Sequence, residues 1–325
     1  MKLLPISYLR VSAMLMVVYF HCLCHFATNW SAPEDLLVPS HDAFAYLLNA
    51  IDMPMFIYIS GYLYAYLYFG KGKYHDNVAF LRGKARRLLL PYILWGVLLL
   101  FIFPQMHTVH QLFTGISHLW FLLTLMLLFV IVQFTRSRWE NLTFRSAIRI
   151  FAFFLALRVL ALNGVHGKVL LYMPFFVLGM ISSRFCLTER VCRIRHKVPL
   201  LILSLLLVFP AWLLCWYWHH IHLARSIAWL FTGISAMILI PLVHSILERR
   251  TLPQSRLMES LDRNSMGIYI LHHIFIVGAF CNPPLCVWLE NHSLIAPTVL
   301  FLAVLPVSWI LSEMIGRTRL SFVFG

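Results

Sequence analysis

Residues 6–27 read ISYLRVSAMLMVVYFHCLCHFA, and the fold follows from how this stretch is taken. Its basic side chains are Arg10, at the start, and His21 and His25 deeper in. As a helix at 3.6 residues per turn, the step from Arg10 to His21 is close to three whole turns. The two side chains then share nearly one face, separated by roughly 16 Å along the axis. His25 lies one turn beyond His21 on that face. A cation near one membrane surface, with imidazoles on the same stripe deep in the span, is costly in lipid and marks function.

The rest of the chain supports a membrane reading. It has 325 residues, 61% hydrophobic and 12% charged, with a mean hydropathy of +0.81, too few charges to cover a soluble protein of this size. Apolar runs of bilayer-spanning length recur from end to end. They lie at roughly 6–27, 44–69, 87–104, 118–135, 146–163, 168–184, 198–218, 225–247, 265–281 and 294–315. The expectation is an all-α, polytopic integral membrane bundle of about ten transmembrane helices. Residues 1–325 would form a single transmembrane domain with no appended soluble domain. The first run follows only a few residues and shows no small-residue cleavage site, the pattern of a retained signal anchor.

Charge placement orients the bundle. With these spans, all of the 26 Lys and Arg except Arg158, Lys168 and Arg225 fall on one side. Such asymmetry places both termini in the cytoplasm. It also accounts for the net charge of +14 through topology and anionic lipid, without nucleic acid. The opposite loops differ: residues 28–43 hold Glu34 and Asp35 and no Lys or Arg. The HHIH run at 219–222 has no Cys or carboxylate nearby to complete a zinc set, so it is taken as interfacial and no metal is expected. Cys281 and Cys286 flank a Pro-Pro turn and would form a disulfide if that face is oxidising.

Several motifs rise above this background. The second span carries Asp52, an acid inside a span, then Phe56-Ile-Tyr-Ile-Ser60-Gly61-Tyr62. Ser60 and Gly61 suit either close helix packing or a substrate contact. Arg82 and Arg86 sit one turn apart ahead of Pro91-Tyr92, so both guanidinium forks can face one phosphate. The fourth span opens His118-Leu-Trp120-Phe121, where Trp120 suits an interface and His118 an acceptor. Arg158 is a cation within the fifth span. Tyr269 and His272 share a face of the ninth, while His273 points elsewhere.

Together these residues resemble the membrane acyltransferase-3 family. Arg10 and His21 have its Arg-x10-His spacing, and Arg82 and Arg86 its Arg-x3-Arg pair before Pro-Tyr. Phe56–Tyr62 is similar to its Phe-Phe-x-x-Ser-Gly-Phe segment, departing where Ile57 replaces the second aromatic. His118–Phe121 and Ser265–His272 resemble its later motifs. Each motif alone is weak; all of them in the family's order across Arg10–His272 are specific. The resemblance implies a multi-pass enzyme of the bacterial inner membrane. It would move an acyl group, most often acetyl, from cytoplasmic acyl-CoA to a hydroxyl of a carbohydrate or lipid-linked saccharide used in surface polysaccharide.

That reading assigns roles. Arg82 and Arg86, with Arg10, would hold the anionic end of acetyl-CoA or another acyl-CoA. The pantetheine arm would run beside the first helix to His21. There a neutral imidazole takes the acceptor proton, or itself becomes acylated. Tyr269, Ser60 and Arg158 are all open as oxyanion donors. His118, Trp120, Arg158, His272 and Asp52 are the candidates for contacting the acceptor. Two other classes fit a polytopic bundle with buried Arg, Asp and His. One is a transporter or flippase, the other a non-catalytic subunit of a polysaccharide export system. No inverted repeat between the halves supports the transporter, and binding of acyl-CoA separates the enzyme from both.

Overall fold

The computed structural model describes residues 3–28, 33–157, 164–194, 197–218 and 221–325, and among them there are helices and turns but no strand. Among the described residues, seven helical segments are long and apolar enough to cross a membrane. They become eight if Arg256–Phe280 and Pro283–Asn291, bent by 90° at their junction, count as one broken span. The protein is therefore an all-helical, multi-pass membrane protein. The expected fifth span begins with the helix Phe144–Leu157 and runs into residues 158–163, outside the described residues. The expected sixth is the helix Gly164–Arg184, where Lys168, Pro174, paired serines and Arg184 dilute the apolar run.

The chain divides into two compact units, Met1–Phe56 with His196–Thr318, and Ile57–Arg195 with Arg319–Gly325. In the first unit the helix Leu4–Leu23 packs along Arg256–Phe280, and both contact Ala296–Gly316. Val11, Met14 and Val18 meet Ile268 in one apolar cluster, and Cys22 and Phe26 meet Ile276, Leu289 and Leu300 in another. Helices in lipid gain little from hiding apolar surface, so close packing and polar contacts specify such pairings.

The polar contacts sit at the helix ends. Arg10 donates to Asp262 at 2.7 Å, and Ser7 donates to the other carboxylate oxygen at 2.8 Å. Beside it, Glu313 accepts from Arg263 at 2.8 Å and from Arg317 at 3.0 Å, and also from Asn264. Three of the chain's 26 Lys and Arg are thus neutralised by two of its 12 acids. On another helix, buried Asp42 accepts from the Thr28 amide and hydroxyl at 2.8 and 2.6 Å and from Trp212 at 2.6 Å. Arg10→Ala, Asp262→Ala and the double variant will give a coupling of about 1 kcal/mol for this partly buried pair, read as thermal midpoints of the purified protein in detergent. Additive losses would mean the pair contributes nothing.

In the second unit the helices Asp52–Lys71, from Ile57 onward, and Gly164–Arg184 come into backbone contact. A Cβ on Gly61 would lie 2.0 Å from the Phe176 carbonyl oxygen, and one on Gly179 would lie 2.1 Å from that of Tyr58. Gly61 of the Ser-Gly pair is therefore a packing residue. Asn77–Lys84 continues through a π-helical turn, Ala85–Leu89, into Leu90–Ile102. Pro91 follows the wide turn; its ring cannot donate to the ladder, and π turns cluster at functional sites. Trp95 donates to the Val323 carbonyl at 2.8 Å and stacks on Phe324, tying the last turn, Arg319–Phe324, to this helix.

Candidate functional site

His21 is 7% exposed, in the last turn of the Leu4–Leu23 helix. Its Nδ1 lies 2.9 Å from the Val17 carbonyl oxygen and 3.2 Å from Nε2 of His272. Nδ1 of His272 lies 3.0 Å from the Ile268 carbonyl oxygen. A carbonyl only accepts, so each Nδ1 carries the hydrogen. His272, protonated at Nδ1, presents Nε2 as the acceptor for His21 Nδ1–H. That leaves Nε2 of His21 as its basic nitrogen. The chain thus fixes the tautomer of one imidazole with a backbone carbonyl and a second imidazole, an arrangement known to orient catalytic histidines.

Two further groups border the pair. The Tyr269 ring is 6.0 Å from that of His272. His273, expected to point elsewhere, meets His21 edge to face at 5.3 Å. Successive helical residues are about 100° apart, and His272 and His273 straddle the imidazole facing them from the first helix. His25 also departs from expectation. The α-helix ends at Leu23 and Cys24–Phe26 winds as a 3₁₀ turn, so His25 does not continue the stripe. It stacks on Phe280, centroids 3.7 Å apart. Asp52 is wholly buried at the start of its helix. One carboxyl oxygen accepts from the Met53 amide at 2.5 Å, and the other has no partner among the described residues.

The second unit holds the basic motif. Arg82 and Arg86 are exposed. A pocket of about 430 Å³ beside them is lined by Lys73, Tyr74, Asp76, Ala79, Phe80, Gly83, Lys84 and Arg87. Gly83 and Arg87 are the residues one step along from the motif pair, so the pocket opens on the adjoining face. Lys84 places Nζ 3.8 Å from the Phe129 ring centre, with Phe80 and Tyr74 at 5.5 and 5.7 Å, a cage of π faces around a cation. Asp76 caps the helix by accepting from the Val78 and Ala79 amides. Burial raises the Tyr74 hydroxyl above its ordinary pKa against the opposing pull of Arg87, so it remains a donor at neutral pH.

His118 is buried in a 3₁₀ turn leading into Trp120–Phe134. Trp120 stacks on Tyr172, and Lys168 places Nζ 3.7 Å from its ring centre. Lys168, an exception to the charge asymmetry, gains a specific partner this way. Ser60 is half-buried beside the Gly61 contact. Arg158, His219 and His220 lie outside the described residues, and His222 is exposed. Sequence reasoning passed over Asp262, Lys84, Arg87 and Lys168. Only the run of basic residues at 82–87 hinted at two of them.

No curated protein and no solved structure matches the chain significantly. A family model described as an acyltransferase domain matches residues 5–313, nearly the whole length of the chain. The chain belongs to the membrane acyltransferase-3 family.

Proposed function

We propose that this membrane acyltransferase is an acyl-CoA-dependent O-acyltransferase. It moves an acetyl group to a hydroxyl of a carbohydrate or lipid-linked saccharide during surface polysaccharide synthesis in the bacterial inner membrane, with both termini cytoplasmic. The observation that carries the reading is the His21–His272 pair. His21 Nε2 takes the acceptor's hydroxyl proton, and the resulting imidazolium is held through Nδ1–H by Val17 and His272. The hydroxyl oxygen attacks the thioester carbonyl and CoA leaves as the thiol, accepting the proton. Tyr269, whose ring is 6.0 Å from that of His272, is the hydroxyl we assign to the oxyanion. Arg10 supports this helix pair through Asp262.

The anionic end of the donor is assigned to the basic turns at 82–87, with Lys84 and Arg87 in the pocket and Arg82 and Arg86 exposed on the same turns. His118, Trp120 and Asp52 remain the groups we assign to the acceptor, with Arg158. The function is tested with radiolabelled acetyl-CoA and purified protein in lipid: label transferred or CoA released supports an enzyme, whereas neither turnover nor acyl-CoA binding supports a transporter or subunit. A second measurement tests the donor site. Arg82→Ala, Arg86→Ala and Lys84→Ala will each weaken acyl-CoA binding by about tenfold, the worth of one charge-assisted contact. Binding unchanged in all three removes the phosphate role from this stretch.

A further inference from the structure

We propose that His25, Cys286 and Glu290 form a zinc site, separate from the transfer chemistry. One nitrogen, one sulfur and one oxygen donor from these residues lie within 4.8 Å of one another. His25 Nε2 is 3.4 Å from Glu290 Oε1, and Cys286 Sγ is 3.3 Å from the same oxygen. A charge-assisted N–H···O bond closes to about 2.7–2.9 Å, so the histidine–glutamate spacing is long for an ion pair. It fits instead the edge of a zinc tetrahedron. With metal–ligand distances near 2.0–2.3 Å, such edges measure about 3.3–3.7 Å.

The local fold builds this triad. Cys286 and Glu290 are one turn apart on Pro283–Asn291, so they face the same way. That short helix turns 90° from its predecessor at Cys281–Asn282, with Asn282 capping it at the Leu285 amide. His25 is brought round by the 3₁₀ turn, and its ring is held flat against Phe280. The three side chains are half-buried, reachable from solvent yet fixed by neighbours. Their chemistry selects the ion. Imidazole, thiolate and carboxylate suit zinc rather than magnesium or calcium. One thiolate and one carboxylate also neutralise a divalent charge. Binding forms the S–Zn bond as the thiol proton leaves to solvent, and water fills the fourth position. Cys281 and Cys286 are separate thiols here, so a disulfide between them does not compete for the ligand sulfur.

The test uses untagged full-length protein in detergent, stripped with chelator and kept reduced, then titrated with zinc and separately with cobalt. The expected result is one zinc per chain and, with cobalt, a thiolate charge-transfer band. Cys286→Ser and His25→Ala will lose both, whereas Cys281→Ser retains both. Zinc will also raise the thermal midpoint of the wild type and of Cys281→Ser, but not of Cys286→Ser, because it binds only the folded site. The protein has 16 histidines, so cobalt bound without the thiolate band, or zinc retained by Cys286→Ser, places the ion elsewhere and overturns the site. Failure of the wild type to take up stoichiometric zinc does the same.

Discussion

His21→Ala lowers acyl transfer by about 10²–10⁴-fold, the range lost when a positioned general base is removed. The structure makes this the largest catalytic effect expected of any single substitution. His21 is the imidazole whose Nδ1–H is spoken for by both the Val17 carbonyl and His272, so its basic nitrogen is Nε2. His272→Ala removes one of those two acceptors and leaves the other. It should cost less than His21→Ala and act on kcat, while acyl-CoA affinity is untouched. His272→Gln, which can still accept through its amide oxygen, should recover part of the loss. Added imidazole should partly restore His21→Ala, because the missing group is a small diffusible base. The comparison is radiolabelled acetyl turnover by wild type and variants at equal insertion in lipid. Normal turnover by a correctly inserted His21→Ala protein rejects the base assignment.

The helical stripe from Arg10 to His21 was legible in the sequence, because an uninterrupted α-helix converts spacing into geometry. So was the all-helical membrane fold, because apolar runs of bilayer length have few other uses. What joined His21 to His272 was not legible: 251 positions separate them, and no periodicity spans two helices. Asp262 was missed for the same reason: 252 positions separate it from Arg10, and nothing in its own helix points to that partner. Two departures are local. The change from α to 3₁₀ winding after Leu23 carried His25 off the stripe, and the π turn at 85–89 takes in Arg86, half of a motif read on ideal α spacing. Both occur where backbone hydrogen bonding changes, which side-chain pattern does not report.

Gly179→Val is expected to destabilise the protein by about 3 kcal/mol or more, at the upper end of overpacking. The reason is what the new atoms would meet. A Cβ at Gly179 lies 2.1 Å from the Tyr58 carbonyl oxygen and 2.7 Å from the Tyr62 amide nitrogen, backbone atoms that cannot swing aside. Gly61 has the reciprocal problem, its Cβ falling 2.0 Å from the Phe176 carbonyl oxygen. Relief requires the two helices to part by about 1 Å, forfeiting close dispersion contacts along the seam. Gly278 is the control: it also sits inside a helix, but none of the described residues comes within 4 Å of a Cβ there. Gly278→Ala should be neutral or stabilise by up to about 1 kcal/mol through helix propensity. The same added carbon thus has opposite signs at two helical glycines. Thermal midpoints of Gly61→Ala, Gly179→Val and Gly278→Ala that all match wild type would refute the close approach. If the contrast holds, Gly61 in the Ser-Gly motif is there to bring two backbones together, and any part the motif plays in chemistry falls to the Ser60 hydroxyl. Ser60→Ala, which keeps the packing, would isolate that part.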